Sequence, residues 1–383
     1  MSSPTSAHEP KPRVFVFLRH GLGETAWESM REAGVAWEES PYGYGRAAKW
    51  FDLHWSRDRQ DSRTGRFARR ALRRVLGFDL MHAWHNRRAI YEADAVWTHT
   101  EFEHLAVAAL KALRLSRPSF VTLAQTVWLW DSWGSYSRLR RALLARLLRR
   151  HDKELVLSRA NHMVSVAAVP NRVVSIVPFG TELPTVKRIG RQDRRPVVVA
   201  VGNDKHRDWA TLAAAARQME DVDFIVHSSA AAALNVRWPR NVDLRRHSVT
   251  TDVLASYAEA NVAVVPLVEN LHASGITVAM EAMASGVPLV ASDTGGISDY
   301  VSGPGCLLTP PGDAHELARS IGDALSTEVQ DASPELRARL FERGLSQEQY
   351  VWRLVWCTLD LLHAAKLPPE VHDFRHVPPP RPS

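Results

Sequence analysis

The stretch at residues 269–300, ENLHASGITVAMEAMASGVPLVASDTGGISDY, decides how this 383-residue chain is read. A mostly β-branched run at 262–267, VAVVPL, leads into it as a strand. A helix is expected over 275–285, with Ser274 as its N-cap and Gly275 and Ile276 at its opening. The free N–H groups and positive dipole end of a helix start bind phosphate or sugar oxygens. Gly275 lets a ligand come close to the backbone. Glu281 follows about 9 Å along the axis, on the face of Thr277 and Val278. A carboxylate there suits two vicinal hydroxyls, such as those of a ribose. Gly286-Val287-Pro288 ends the helix and opens a strand over 288–292; Asp293-Thr294-Gly295-Gly296 then turns tightly at the same crevice. Phosphate site, hydroxyl acceptor and glycine loop together describe a pocket for a nucleotide-diphosphate sugar.

Strands alternate with helices on both sides of this segment. The strand at 197–201, VVVAV, ends at Gly202, and a helix is expected over 208–219, with further strand at 224–227 and helix at 251–259. In the first half, strands are expected at 13–18, 95–99, 120–126, 163–167 and 173–178. The polar, proline-bounded stretch 183–196, LPTVKRIGRQDRRP, reads as a linker. The expected fold is α/β: two facing Rossmann-like, doubly wound domains, 13–182 and 197–345, with an interdomain cleft beyond the carboxyl ends of the strands. A long helix over 346–366 is expected to pack back on the first domain, ahead of a proline-rich tail at 367–383.

Composition excludes several classes. Hydrophobic residues make up 45% and charged residues 23%, which is ordinary globular usage. No apolar run reaches the 18 residues of a spanning helix, and residues 1–12 lack the apolar core of a secretory signal. Two cysteines, Cys306 and Cys357, are too few for a disulfide framework or a cysteine zinc site, so a cytoplasmic protein is expected. Charge is uneven: residues 1–180 carry 28 Lys+Arg against 17 Asp+Glu, a net +11, while the remainder is acidic. That half also holds nine of the 13 Trp. Two basic amphipathic helices are expected within it, at 66–76 (RFARRALRRVL) and 138–150 (RLRRALLARLLRR). An anionic membrane surface is therefore an expected partner, at the inner face of the membrane. No nucleic-acid motif is present, and the acidic half would repel a polyanion.

The segment Glu281-Ala282-Met283-Ala284-Ser285-Gly286-Val287-Pro288 with Gly295-Gly296 resembles the donor-site motif of family 4 (group 1) glycosyltransferases of GT-B fold. The resemblance implies that Glu281 holds the donor ribose. The family's first glutamate falls at Ala273, so His272, Ser274 or backbone N–H groups are expected to contact the donor sugar in its place. The run from Val201 to Trp209 resembles the family's diphosphate loop: Gly202 and Asn203 line it, and Lys205 and Arg207 supply positive charge. Gly21 and Gly23 resemble the glycine loop on the acceptor side, where Gln125 and Asp131 are also expected. The catalytic candidates are His99, Arg207 and His272; the family's usual histidine slot is read at Ala124. The implied reaction is sugar transfer from a UDP- or GDP-linked donor to a hydroxyl of a carbohydrate or lipid-linked acceptor. It is expected to retain anomeric configuration and to need no metal or other cofactor. A degenerate module that only binds a sugar nucleotide or a membrane partner, or a sugar-nucleotide epimerase, are the alternative readings.

Overall fold

The computed structural model describes residues 10–34, 36, 38–113, 120–189 and 195–363. Two parallel six-stranded sheets organise them. The first has the order β2-β1-β3-β4-β5-β6, with β1 Arg13–Phe17, β2 Asp52–Trp55, β3 Ala95–Thr98, β4 Val121–Thr126, β5 Lys153–Val156 and β6 Val174–Ile176. The second has the order β12-β11-β10-β7-β8-β9, with β7 Val197–Val201, β8 Asp223–His227, β9 Val242–Arg245, β10 Val262–Val265, β11 Leu289–Ser292 and β12 Cys306–Thr309. Parallel strands need crossovers, and helices cover both faces of each sheet. The helices of the first half are α1 Glu24–Glu32, α2 Arg63–Leu76, α3 Leu80–His85, α4 Arg87–Glu92, α5 Glu101–Leu113, α6 Leu129–Trp133, α7 Arg138–Leu148 and α8 Arg159–Ala168. Those of the second are α9 Trp209–Arg217, α10 Ala231–Leu234, α11 Thr250–Glu259, α12 Ile276–Ala284, α13 Ala314–Ala324, α14 Thr327–Asp331, α15 Glu335–Glu342 and α16 Gln347–Leu361.

Strand alternation divides the first domain's core into two layers. Phe15 and Phe17 pack with Val96, Leu105 and Leu110 on one face. Val14 and Val16 pack with Trp97, Tyr350, Leu354 and Val355 on the other. The second layer is closed by α16, so the chain's last described helix returns from the second domain to cover the first sheet. Trp97 Nε1 donates to Thr358 Oγ1 at 2.8 Å, Lys153 pairs with Asp360 at 3.2 Å, and the Tyr350 hydroxyl donates to Gln125 Oε1 at 2.5 Å. Tyr350→Phe leaves the buried Gln125 carbonyl without this donor, a loss of about 1–3 kcal/mol. The expected result is a lower Tm by calorimetry, about 2–4 °C for each kcal/mol lost in a domain of this size. An unchanged Tm would show that the hydrogen bond contributes nothing.

Several expectations change. Residues 163–167 are not a strand; they lie in α8, which starts because Ser158 Oγ accepts from the Asn161 N–H at 3.2 Å. Four strands, β2, β5, β9 and β12, escaped the sequence reading. β2 and β9 are half-exposed edge strands whose polar residues hide the period. β12 lies at the opposite edge of the second sheet and is also partly exposed. β5 is fully buried yet carries Lys153 and Glu154, which the fold pairs with Asp360 and Arg172. Residues 190–194 of the expected linker, the end of the last helix beyond residue 363 and the tail at 367–383 lie outside the described residues.

The basic helices sit differently from the simplest amphipathic picture. In α2 the half-buried stripe is Gly65, Arg69, Leu72, Arg73 and Leu76. Arg69 pairs with Asp61, and Arg73 lies over the Phe102 ring. Phe67 and Val75 face outward, each 76% exposed, beside Arg66, Arg70 and Arg74. In α7, Leu139 and Leu143 are also exposed while Leu144, Leu147 and Leu148 enter the core. Apolar side chains flanked by arginines thus point away from the protein on both helices.

Candidate active site

In an open parallel sheet, ligands bind beyond the strand ends where the strand order reverses. In the second sheet this point lies between β7 and β10. The loops leaving these two strands, 202–208 and 266–275, meet there, joined by an isolated bridge between Arg207 and Leu267. Arg207 is buried among them: its Nε donates to the Val201 carbonyl at 3.1 Å and its Nη1 to Ser274 Oγ at 3.3 Å. Burial pulls its pKa down, and the Asp204 carboxylate opposes this. Gly202 is required here, because a Cβ would stand 2.2 Å from Arg207 Nε. Gly275 is required for two reasons: its φ is +80°, and a Cβ would lie 2.5 Å from Val265 Cγ1 and 3.0 Å from Arg207 Nη1.

The position before α12 is held by Gly275, not Ser274, and no side chain caps the helix. Ser274 instead donates to Asp204 Oδ2 at 2.7 Å, because the left-handed Gly275 turns the chain before the helix begins. Its N–H groups are thus left without a side-chain cap. Ile276 is buried in the core behind it. On α12, Glu281 is half-buried, and no hydrogen bond of its carboxylate is seen among the described residues. Burial, helped by the charge of Glu38, pushes its pKa up to about 7. Glu38 belongs to the first domain and is itself raised to about 7 by burial, next to Glu182. The Tyr257 hydroxyl of α11 is fully buried and has no hydrogen-bond partner among the described residues; it feels the charges of both Glu281 and Arg207. Arg207, beside Gly275, and Glu281 thus both lie in the neighbourhood of the Tyr257 hydroxyl.

Other expected donor residues have packing roles. Asn203 Oδ1 accepts from the Ser229 N–H at 2.8 Å and ties down the loop after β8. Lys205 is exposed at the cleft edge, beside Asp204 and Trp128 in a cavity of about 490 Å³. Gly295 and Gly296 are each in close approach to a neighbouring side chain. A Cβ on Gly295 would strike Asn270 Oδ1 at 2.0 Å, and one on Gly296 would strike Ser158 of the first domain at 2.4 Å. Gly296 thus allows the two domains to approach each other, while Gly295 makes room for Asn270 of its own domain.

The first sheet reverses order between β1 and β3. Beyond these strands lies a small cavity of about 90 Å³, lined by Arg19, Leu22, Tyr42, His99, Glu103 and Trp128, among others. His99 stacks on Tyr42 at 3.5 Å, and its Nδ1 lies 2.7 Å from the Tyr44 hydroxyl. Burial, with some help from Arg19, lowers its pKa to about 3, so the ring is neutral near pH 7. Gln125 Nε2 donates to the His99 carbonyl at 3.2 Å. Ala124 is fully buried. Gly21 donates its N–H to Asp58 at 3.0 Å, and Gly23 packs on the Ser56 carbonyl at the start of α1. Arg19 and Glu103 were not singled out in the sequence: a lone exposed arginine and a helical glutamate carry no spacing signal. Asp204 and Tyr257 were missed for the same reason.

Asp131 departs from its expected acceptor role. Its Oδ1 accepts from the Leu271 N–H at 2.6 Å, and its Oδ2 lies 2.5 Å from His272 Nδ1. Both oxygens of this first-domain residue are spent on the second domain. His272 is only 3% exposed and reaches Asp204 Oδ2 with Nε2 at 3.2 Å. Burial opposes its charge, but the hydrogen bonds to Asp131 and Asp204 prevail and raise its pKa. His272 is therefore engaged in an interdomain junction, not free to face a sugar. Arg159 with Asp299, and the Tyr300 hydroxyl donating to the Leu157 carbonyl at 2.7 Å, extend this junction.

Residues 191–327 match the family described as "Glycosyl transferases group 1". The match falls almost wholly within the second domain, and the two-sheet architecture is that of the GT-B fold. Among solved structures, sucrose-phosphate synthase from Thermosynechococcus elongatus is similar over 92% of this chain and 100% of its own, with 18% identity and a TM-score of 0.70. Anabaena HepE in complex with UDP-glucose is similar over 91% and 99%, with 13% identity and a TM-score of 0.65. A glycosyltransferase from Rickettsia africae covers 92% and 99%, with 10% identity and a TM-score of 0.62. A search of curated protein sequences returns no match.

Proposed function

We propose that the protein transfers a hexosyl group from a nucleotide-diphosphate sugar to a hydroxyl of a carbohydrate or lipid-linked acceptor, with retention at the anomeric carbon. The observation that carries this reading is the convergence of Arg207, the uncapped start of α12 and Glu281 at the strand reversal of the second sheet. In this reading Arg207, the helix start and Lys205 stabilise the charge that builds on the diphosphate as the sugar–phosphate bond breaks. Glu281, as carboxylate, accepts from the ribose hydroxyls, and domain closure keeps out water that would hydrolyse the donor. The acceptor proton passes to the leaving phosphate, which requires no separate base and no metal ion in the transfer step. UDP is the favoured nucleotide, since HepE, a structure of the same fold, was solved with UDP-glucose. A thermal-shift screen of UDP, GDP, ADP and dTDP with their sugars tests this. A shift with one nucleotide, followed by acceptor-dependent release of free nucleoside diphosphate, is expected. Nucleotide binding without release under any acceptor would favour the binding-module reading, and donor isomerisation would favour an epimerase.

The proposed place of work is the cytoplasmic face of a membrane, in envelope or exopolysaccharide assembly. No helix among the described residues is long and apolar enough to cross a membrane. Support for peripheral attachment comes from Phe67 and Val75 standing out from α2 between arginines. Each basic residue near an anionic leaflet contributes about 1 kcal/mol. Co-sedimentation with phosphatidylglycerol vesicles is expected, weakening with salt and falling several-fold in Phe67→Glu. Equal sedimentation of wild type and variant would move the contact away from α2.

A further inference from the structure

We propose that Asp131, His206 and His272 form a binding site for a divalent transition-metal ion, zinc by ligand chemistry, that clips the two domains together. Asp131 comes from α6 of the first domain, while His206 and His272 come from the loops after β7 and β10 of the second. One ligand atom from each lies within 4.8 Å of the other two. The site rests on a second carboxylate. Asp204 places Oδ2 3.2 Å from His272 Nε2 and Oδ1 3.1 Å from His206 Nδ1. Each imidazole can donate its N–H to this one carboxylate and turn its other nitrogen, His272 Nδ1 and His206 Nε2, into a lone-pair donor. Metal-bound histidines show this arrangement: a carboxylate behind the ring fixes tautomer and orientation. The rings lie 4.4 Å apart between centroids, and His272 Nδ1 already faces the Asp131 carboxylate.

The chemistry of the set selects the ion. Two imidazole nitrogens and one carboxylate oxygen are borderline ligands, suited to zinc and its neighbours more than to magnesium or calcium. Three protein ligands leave a tetrahedral place for water. Two carboxylates at the junction, Asp131 and Asp204, would be balanced by one doubly charged ion. The ligands are well shielded: side-chain exposure is 3% for His272, 9% for Asp131 and 12% for His206. The sequence reading expected no metal from the family resemblance and the two cysteines; the three ligands lie far apart along the chain and leave no spacing signal. The ion proposed here is an interdomain clip and takes no part in sugar transfer.

The competing account is a protonated His272 held between Asp131 and Asp204 with no ion. Titration of the EDTA-stripped full chain with Zn²⁺ and Co²⁺ separates the two. One equivalent of Zn²⁺ should bind by calorimetry, raise Tm, and be replaceable by Co²⁺ with the visible absorption of a four-coordinate site. His206→Ala and Asp131→Asn should each lower affinity at least tenfold and abolish the Co²⁺ spectrum, and Asp204→Asn should lower affinity about 10–100-fold. Absence of stoichiometric binding at micromolar metal would overturn the proposal. Binding that is unchanged in His206→Ala and Asp131→Asn would overturn it equally, since the ion would then sit elsewhere. Failure of the sugar-transfer reading would leave these binding results unaffected.

Discussion

Arg207→Ala is expected to lower kcat/KM for the donor by about 10²–10³, the cost of removing one preorganised donor to a developing charge, or about 2.7–4 kcal/mol. The side chain is locked in place before any ligand arrives. Its Nε is fixed by the Val201 carbonyl and one terminal nitrogen by Ser274 Oγ, and Gly202 and Gly275 leave room for it on both sides. A guanidinium has five N–H donors, so those two bonds leave capacity for phosphate oxygens. Arg207→Lys keeps the charge but loses the fork and should recover only part of the rate. Because the residue is buried, Tm and circular dichroism of both variants must first show a folded chain. Turnover equal to wild type at both saturating and low donor would remove Arg207 from the site.

Glu281 should give the second large effect, chiefly on donor affinity. A hydrogen bond to a charged acceptor contributes about 1.5–3 kcal/mol, so Glu281→Gln should raise donor KM roughly 10- to 100-fold with a smaller change in kcat. Its pKa of about 7 adds a pH signature. Donor binding should strengthen as pH rises through about 7, as the carboxylate ionises, and this rise should flatten in Glu281→Gln. Stability runs the other way. The folded-state pKa lies above the unfolded value of about 4.5, so the folded chain holds the proton more tightly. Above pH 4.5 the unfolded state gains relative stability, increasingly up to pH 7, and the penalty then levels off. Glu281→Gln should therefore raise Tm of the ligand-free protein more at pH 8 than at pH 5. A donor KM that is flat from pH 5.5 to 8.5 in the wild type would rule out this ionisation as the control.

Legibility in the sequence followed local chemistry. The strands β7 and β10 could be read because a fully buried parallel strand is an uninterrupted apolar run, and α12 because small residues between Gly275 and Gly286 keep a helical period. Glu281 was singled out by its offset from a helix start and Arg207 by the resemblance of the loop after β7 to the family's diphosphate loop. α8 was misread because a short apolar stretch, HMVSVAA, suits strand and helix alike, and only the Ser158 cap decides. β5 was unreadable because its lysine is neutralised by Asp360 of α16, far away in the chain, and its glutamate by Arg172 beyond the next helix.

The sequence by itself determined the α/β class and the division into two parallel-sheet domains, because these depend on period and spacing within short windows. Only the tertiary structure decided what happens between the domains. Asp131 and His272 are 141 residues apart, and their pairing turned an expected acceptor ligand and an expected catalytic histidine into a junction. Gly296 became a site of close approach to Ser158, and Glu38 joined the surroundings of Glu281. Such contacts depend on how two folded surfaces meet, and residue spacing along the chain carries no record of that meeting.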